Sequence, residues 1–98
     1  MDIIVRVVVR GRVQGVGFRA WTEMTAAEQR LEGWVRNRRD GAVEAVFAGA
    51  EEGVLTMIDL CRAGPPGACV AAIDQLDAGP ADLALRRPGE LFSVLATV

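Results

Sequence analysis

Ile3-Ile4-Val5-Arg6-Val7-Val8-Val9-Arg10-Gly11-Arg12-Val13-Gln14-Gly15-Val16-Gly17-Phe18-Arg19 changes pattern twice within seventeen residues. In its first part Ile3, Val5, Val7 and Val9 alternate with Ile4, Arg6, Val8 and Arg10. A period of two gives a strand one purely apolar face and one mixed face. Gly11, Gly15 and Gly17 then interrupt the alternation and mark a loop, because residues without a Cβ take up backbone conformations that bulkier ones resist. From Arg19 to Leu31 the apolar positions are Ala20, Met24, Ala27 and Leu31, at intervals of four, three and four, with Glu23 and Glu28 elsewhere. That spacing predicts an amphipathic helix ending near Gly33.

Beyond Gly33, Trp34 to Arg38 and Ala42 to Ala48 are short β-like segments joined across Arg39-Asp40-Gly41. Asp-Gly between two such runs signals a hairpin, so they are expected to pair antiparallel. A second helix follows, with Glu51 and Glu52 in its first turn and Val54, Met57, Ile58 and Cys61 at helical spacing. Gly64-Pro65-Pro66-Gly67 stops it. Ala68 to Leu76 reads as a strand, Asp77 to Glu90 as a loop, and Leu91 to Val98 as a short closing strand. The order β, α, β, β, α, β predicts an α+β fold, a ferredoxin-like βαββαβ sandwich. Its sheet should be mainly antiparallel, with two helices packed on one face and a short C-terminal strand added.

The 98 residues suffice for one hydrophobic core, so residues 1–98 are expected to form a single domain. Hydrophobic residues make up 51% and charged residues 24%, the balance of an ordinary globular chain. The longest apolar runs, such as Val7 to Val9 and Cys69 to Ile73, fall far short of the roughly 20 residues of a membrane-spanning helix. Met1-Asp2-Ile3-Ile4 opens with an acid and soon reaches Arg6 and Arg10, unlike a signal peptide. Cys61 and Cys69 make no disulfide framework. A cytoplasmic protein without membrane association is therefore expected.

His, Tyr and Lys are all absent, so the 11 basic side chains are all Arg. Histidine nucleophiles, His metal ligands, Lys Schiff bases and Ser-His-Asp triads cannot be built from this chain alone. Residues 1–41 hold eight Arg against five acids, and residues 42–98 three against eight, although the net charge is only −2. An anion is expected at the N-terminal part. There, the loop from Gly11 to Gly17 leads from a strand into a helix N-terminus, where free N–H groups and the helix dipole can cradle an anion. Arg19 stands at that junction, with a planar fork of donors suited to a phosphoryl group. Read locally, the same residues equally describe a glycine-rich turn with a solvent-exposed Arg.

Other phosphate sites fail on context. Gly15-Val16-Gly17-Phe18-Arg19-Ala20 fits a dinucleotide-binding pattern, but the expected hairpin leaves no parallel second strand for it. A P-loop needs Lys, and a cysteine phosphatase needs Arg where Gly67 and Gln75 stand. Asn37, beside the hairpin turn, is a second candidate because an amide can accept from a water and donate to a phosphoryl oxygen at once. Asn is also common beside turns for its tolerance of unusual backbone angles.

Gly11-Arg12-Val13-Gln14-Gly15-Val16-Gly17-Phe18-Arg19 and Gly33-Trp34-Val35-Arg36-Asn37, with Asp40-Gly41 and Val43-Glu44 after them, closely resemble the signatures of the acylphosphatases. The likeness takes in Gly64-Pro65 and the chain length, and so covers nearly the whole chain. It implies a small stand-alone enzyme that hydrolyses the carboxyl-phosphate bond of acyl phosphates, releasing carboxylate and inorganic phosphate, with no metal or other cofactor. By that resemblance Arg19 matches the family's phosphate-binding arginine and Asn37 the asparagine that positions the attacking water. Gln14, Gly15, Val16, Gly17 and Phe18 match the backbone cradle that binds phosphate with Arg19.

Two departures stand out. The family usually has Leu-Gly-Leu where this chain has Gln29-Arg30-Leu31, so a reshaped end of the first helix is expected, with more effect on stability than on chemistry. Cys69 stands where a polar or charged residue is common and is expected to be a partly buried thiol without a catalytic role. The likeness does not identify the acyl-side contacts, for which Arg36, Arg38 and Arg39 are candidates. The expected partners are a small acyl phosphate and inorganic phosphate, with no nucleic acid, and the protein is expected to be a monomer. The alternative is a non-hydrolysing acylphosphatase-like module that binds acyl or carbamoyl phosphate, as at the amino terminus of hydrogenase-maturation carbamoyltransferases. Termination after a plausible last strand favours the stand-alone form. A ferredoxin-like nucleic-acid binder would need a basic surface and more exposed aromatics than this chain offers.

Overall fold

The computed structural model describes residues 1–98. Its elements are β1 (Asp2–Arg12), α1 (Phe18–Glu28), β2 (Glu32–Asn37), β3 (Val43–Ala50), α2 (Glu51–Cys61), β4 (Cys69–Asp77), α3 (Pro80–Leu83) and β5 (Phe92–Val94). The expected βαββαβ order is present. The five strands form one sheet in the order β4-β1-β3-β2-β5. Neighbours are antiparallel except β2 and β5, which run parallel. No helix is long and apolar enough to cross a membrane.

Register decides what each strand contributes to the core. Val5, Val7 and Val9 of β1 lie opposite Phe47, Ala45 and Val43 of β3, and Val35 of β2 lies opposite Ala45. These residues share one face and join Phe18 and Ala26 of α1 with Val54, Met57, Ile58 and Cys61 of α2 in a single buried cluster. The α2 residues are those its periodicity predicts. Burial on this scale, at roughly 25 cal/mol per Å² of apolar surface, is the main force holding the helices to the sheet.

For α1 the expected stripe is the wrong one. Met24 is 59% exposed, and Ala20 and Ala27 are also exposed. The helix instead buries Phe18, Thr22, Thr25 and Ala26, leaving only Leu31 of the expected set inside. Thr22 is suited to the core because its Oγ1 donates to the Phe18 carbonyl at 2.8 Å, which satisfies the hydroxyl within its own helix and leaves a β-branched surface to pack.

The end of α1 is not reshaped. Leu31 N donates to the Ala26 carbonyl at 2.9 Å and Arg30 N to the Ala27 carbonyl at 3.0 Å, the paired bonds of a Schellman motif. Arg30 itself sits at φ 58°, the only non-glycine residue with a positive φ. Arg30 thus holds a left-handed conformation that favours glycine.

The face of the sheet opposite α1 and α2 is also partly covered. Within the expected Asp77–Glu90 loop, Pro80 begins the short α3, and Asp82 Oδ2 accepts from Gly79 N at 2.9 Å. Trp34 Nε1 donates to the Asp82 carbonyl at 2.7 Å, pinning this excursion across a buried indole. Nearby, the buried Glu44 accepts from Arg36 Nε at 2.7 Å and Arg6 Nη1 at 3.2 Å, so each neighbouring strand supplies one of its partners. Only Phe92–Val94 of the expected Leu91–Val98 strand is regular. Its tail still follows β2, with Leu95 N donating to Val35 O and Val98 N to Asn37 O.

Cys69 is exposed rather than partly buried, because β4 lies at the sheet edge and its burial pattern is largely open. Cys61 is buried, and desolvation pushes its thiol up to about 12. A thiol reagent at neutral pH is therefore expected to label Cys69 in the folded protein and Cys61 only on unfolding. Mass spectrometry after brief exposure checks this, and equal labelling of both thiols in the native state contradicts it. Arg30→Gly should stabilise the fold by about 0.5–1 kcal/mol, since relief of a left-handed residue, worth about 1–2 kcal/mol, exceeds the added freedom of glycine in the unfolded chain. A higher urea midpoint at unchanged slope is the expected readout.

Candidate active site

Between β1 and α1, Gly15 and Gly17 adopt φ 75° and 79°, which turns the loop back on itself before the helix begins. Gly17 is the N-cap of α1 and offers no side-chain cap, leaving the first-turn N–H groups open. The N–H groups from Gln14 to Gly17 donate to no other backbone group. Free donors and the positive end of an 11-residue helix thus lie side by side.

A hollow of about 360 Å³ opens there. Gln14, Gly15, Gly17, Phe18 and Arg19 line it from the loop side and Asn37 from the sheet, together with Val13, Ala20, Glu23 and Val94. Val16 is absent from this lining and packs its side chain against the core. Asn37 reaches the hollow through register: it ends β2 opposite Val43, whose side of the sheet carries the helices. The residues singled out in the sequence are therefore neighbours in space, apart from the Val16 side chain.

Gln14 contributes more than backbone. Its Nε2 donates to the Arg38 carbonyl at 2.7 Å and the Ala42 carbonyl at 2.9 Å, using both amide hydrogens on the hairpin that follows Asn37. The side chain clips the loop to the hairpin and is not free to meet a ligand with those hydrogens. The hairpin is tightened further at Asp40, whose Oδ1 accepts from Ala42 N at 3.0 Å. That bond is the main cause holding the Asp40 carboxyl below the usual carboxylate range; desolvation opposes it, and the charges of Arg38 and Arg10 add lesser support.

Charge pairing thins the arginine surplus of the N-terminal part. Arg6 and Arg36 go to Glu44, Arg10 to Asp74 and Asp40, and Arg38 to Asp40. Arg19, half-buried in the hollow, has no carboxylate within ion-pairing distance among these pairs. Arg36 faces the far side of the sheet and lies 4.5 Å from the centre of the Trp34 ring, so it is no acyl-side contact for this hollow. Arg38 and Arg39 do not line it either. No group of three or more His, Cys, Asp or Glu side chains is placed to hold a metal ion.

A family model described as acylphosphatase matches residues 5–87. An acylphosphatase of Bradyrhizobium diazoefficiens is 59% identical over 95 residues, which is 97% of this chain and 96% of the relative. The chain belongs to the acylphosphatase family. The crystal structure of acylphosphatase from Bacillus subtilis superposes with a TM-score of 0.81 at 34% identity, covering 97% of this chain and 99% of that one. The T. kodakarensis HypF structure also matches, with a TM-score of 0.77 and 30% identity, but this chain covers 12% of it. Acylphosphatase activity follows for this chain from relatives matched over nearly their full length.

Sequence reading missed two features of this acylphosphatase site. Val94 lies on the expected closing strand, but its place in the lining follows from the parallel pairing of that strand with β2, and the Gln14 clip joins segments whose meeting depends on the assembled sheet. Gln14→Ala should destabilise the fold by about 1–3 kcal/mol by removing two hydrogen bonds between loop and hairpin, although each carbonyl keeps a backbone donor, Gly41 N for Arg38 and Arg38 N for Ala42. Gln14→Glu should cost more, because a carboxylate then faces the same two carbonyls with no hydrogen to give. Urea unfolding of the two variants checks this order, and equal midpoints would contradict the clip.

Proposed function

We propose that this acylphosphatase cleaves acyl phosphates by in-line attack of water on phosphorus, without a metal ion or other cofactor. Arg19 and the N–H groups of the Gln14–Phe18 loop hold the phosphoryl oxygens, and Asn37 orients the water. The observation that carries this reading is the convergence of Arg19, the open N–H groups and Asn37 on one hollow.

An acyl phosphate is a mixed anhydride. As the water oxygen bonds to phosphorus, the bond from phosphorus to the acyl oxygen breaks and its electron pair leaves on a carboxylate. A leaving group with a pKa near 4 needs no general acid. The water's proton passes to a phosphoryl oxygen, so the products are the carboxylate and inorganic phosphate. The protein supplies position and charge, the main levers in phosphoryl transfer. Donors fixed in advance stabilise the redistributed charge without reorganising during reaction.

Asn37 suits its role because a side-chain carbonyl accepts from water while its NH₂ donates. The Gln14 clip supports this assignment by tying the phosphate-side loop to the hairpin that carries the asparagine. The reading includes a single domain acting as a monomer in the cytoplasm, with no nucleic-acid or membrane partner. The unpaired Cys61 and Cys69 accord with a reducing compartment.

The test is the loss of benzoyl phosphate with purified protein in EDTA. Wild-type turnover should persist under chelation, whereas a requirement for added metal overturns the metal-free mechanism. Arg19→Ala should lower turnover by about 10² to 10³ or more. Asn37→Ala should lower kcat while phosphate inhibition stays near wild type, since the residue acts on the water. Wild-type rates in Arg19→Ala, or phosphate binding weakened by Asn37→Ala at full kcat, would reassign those roles.

A further inference from the structure

We propose that the acyl part of the substrate lies in a second, apolar hollow continuing from the phosphate site along the seam between α1 and β5, and that this selects uncharged acyl groups of medium length. The proposal rests on the hydrolytic reading above and gives it a substrate class. The second hollow is about 440 Å³ and is lined by Glu23, Ala27, Leu31, Glu90, Leu91 and Phe92. Glu23 lines both hollows.

Both walls run through the two hollows in the same order. On α1, Arg19, Glu23 and Ala27 follow one another at intervals of four, forming one stripe. A rise of 1.5 Å per residue places Ala27 about 12 Å beyond Arg19 along the axis, within reach of a medium-chain acyl group. On β5, Val94 lines the first hollow and Phe92 the second, two residues apart on the same face. Strand β5 runs parallel to β2, with Phe92 at Gly33 and Val94 at Val35, so Asn37 lies at the phosphate end of this line. A phosphoryl group at Arg19 thus directs its acyl substituent into the seam.

The surfaces available there suit hydrocarbon. Ala20 and Ala27 keep the exposed side of α1 low, while Leu31 is buried beneath. Phe92 is fixed by stacking on Phe47, with ring centres 6.1 Å apart, so that wall is formed before a ligand arrives. Leu91 leaves 72% of its surface in water beside the hollow, apolar area that an acyl chain would cover. The only charged groups lining the second hollow are the carboxylates of Glu23 and Glu90. Glu90 is engaged by Ser93 Oγ at 2.6 Å and Arg87 at 3.6 Å, whereas Glu23 has no ion-pair partner. An anionic acyl group would meet repulsion from Glu23, with no basic side chain in the lining of this hollow.

The experiment compares acetyl phosphate, too short to enter the second hollow, with octanoyl phosphate in wild type, Ala27→Glu and Leu91→Ser. Both changes are on exposed side chains outside the phosphate hollow, and unchanged urea midpoints would establish intact folding. Wild type should favour octanoyl phosphate, mainly through KM. Each variant should lose about tenfold in kcat/KM for octanoyl phosphate while acetyl phosphate changes by less than about twofold, the scale of discrimination an apolar pocket supplies. Parallel changes for both substrates, or no change for either, would overturn the acyl hollow and leave hydrolysis intact. Failure of wild type to hydrolyse either substrate would overturn both readings.

Discussion

The pairing of β1 with β3 is the constraint on which the rest of the molecule depends. It places Val9 opposite Val43, and Val43 in turn lies opposite Asn37 on its other side. That row crosses the sheet at the end where β1 leaves for the glycine loop. The cradle and Asn37 therefore meet because hydrogen-bond register carries position across three strands. Slipping β2 by one residue against β3 would turn Asn37 to the opposite face and take Val35 out of the core cluster with it. Core packing and active-site geometry are thus enforced by the same ladder.

Electrostatics then refine what the ladder has positioned. Glu44, buried between Arg6 and Arg36, and Asp40, beside Arg10 and Arg38, absorb four of the nearest positive charges in fixed pairs. Most such pairs near solvent contribute little to stability. Their effect here is selective: in the proposed mechanism an anion near the loop meets Arg19 and the open amides in place of a diffuse cluster of arginines. A slightly acidic protein can in this way bind an anionic ligand, because the field at the site is set within a few ångströms.

The features that sequence revealed are those with a local physical cause. Alternation marked β1, Asp40-Gly41 marked the hairpin, and the spacing from Val54 to Cys61 marked the buried side of α2. The glycine loop and Arg19 could be placed because strand, loop and helix are consecutive. The inward face of α1 was misread because Thr22 and Thr25 count as polar by composition, although Thr22 satisfies its hydroxyl within the helix. Helix α3 depends on a tertiary bond from Trp34, and the exposure of Cys69 on the position of β4 at the sheet edge. Likewise, the Gln14 clip requires the hairpin to have already arrived beside the loop. What escaped the sequence was therefore chiefly contact between distant segments.

The central place of β1 also has a kinetic meaning. Its partners are β3 and β4, so the chain must bring Asp2 to Ala50 and Val5 to Asp77 before its first strand is bonded on both sides. Closing such long loops costs entropy before the contacts return it, and folds dominated by distant pairings cross a correspondingly higher barrier. No fragment ending before β3 can hold Asn37 against the glycine loop through the sheet, since β3 lies between β1 and β2 and forms the bridge. Recovery of activity during refolding would thus follow the assembly of the three central strands, after either helix can first form.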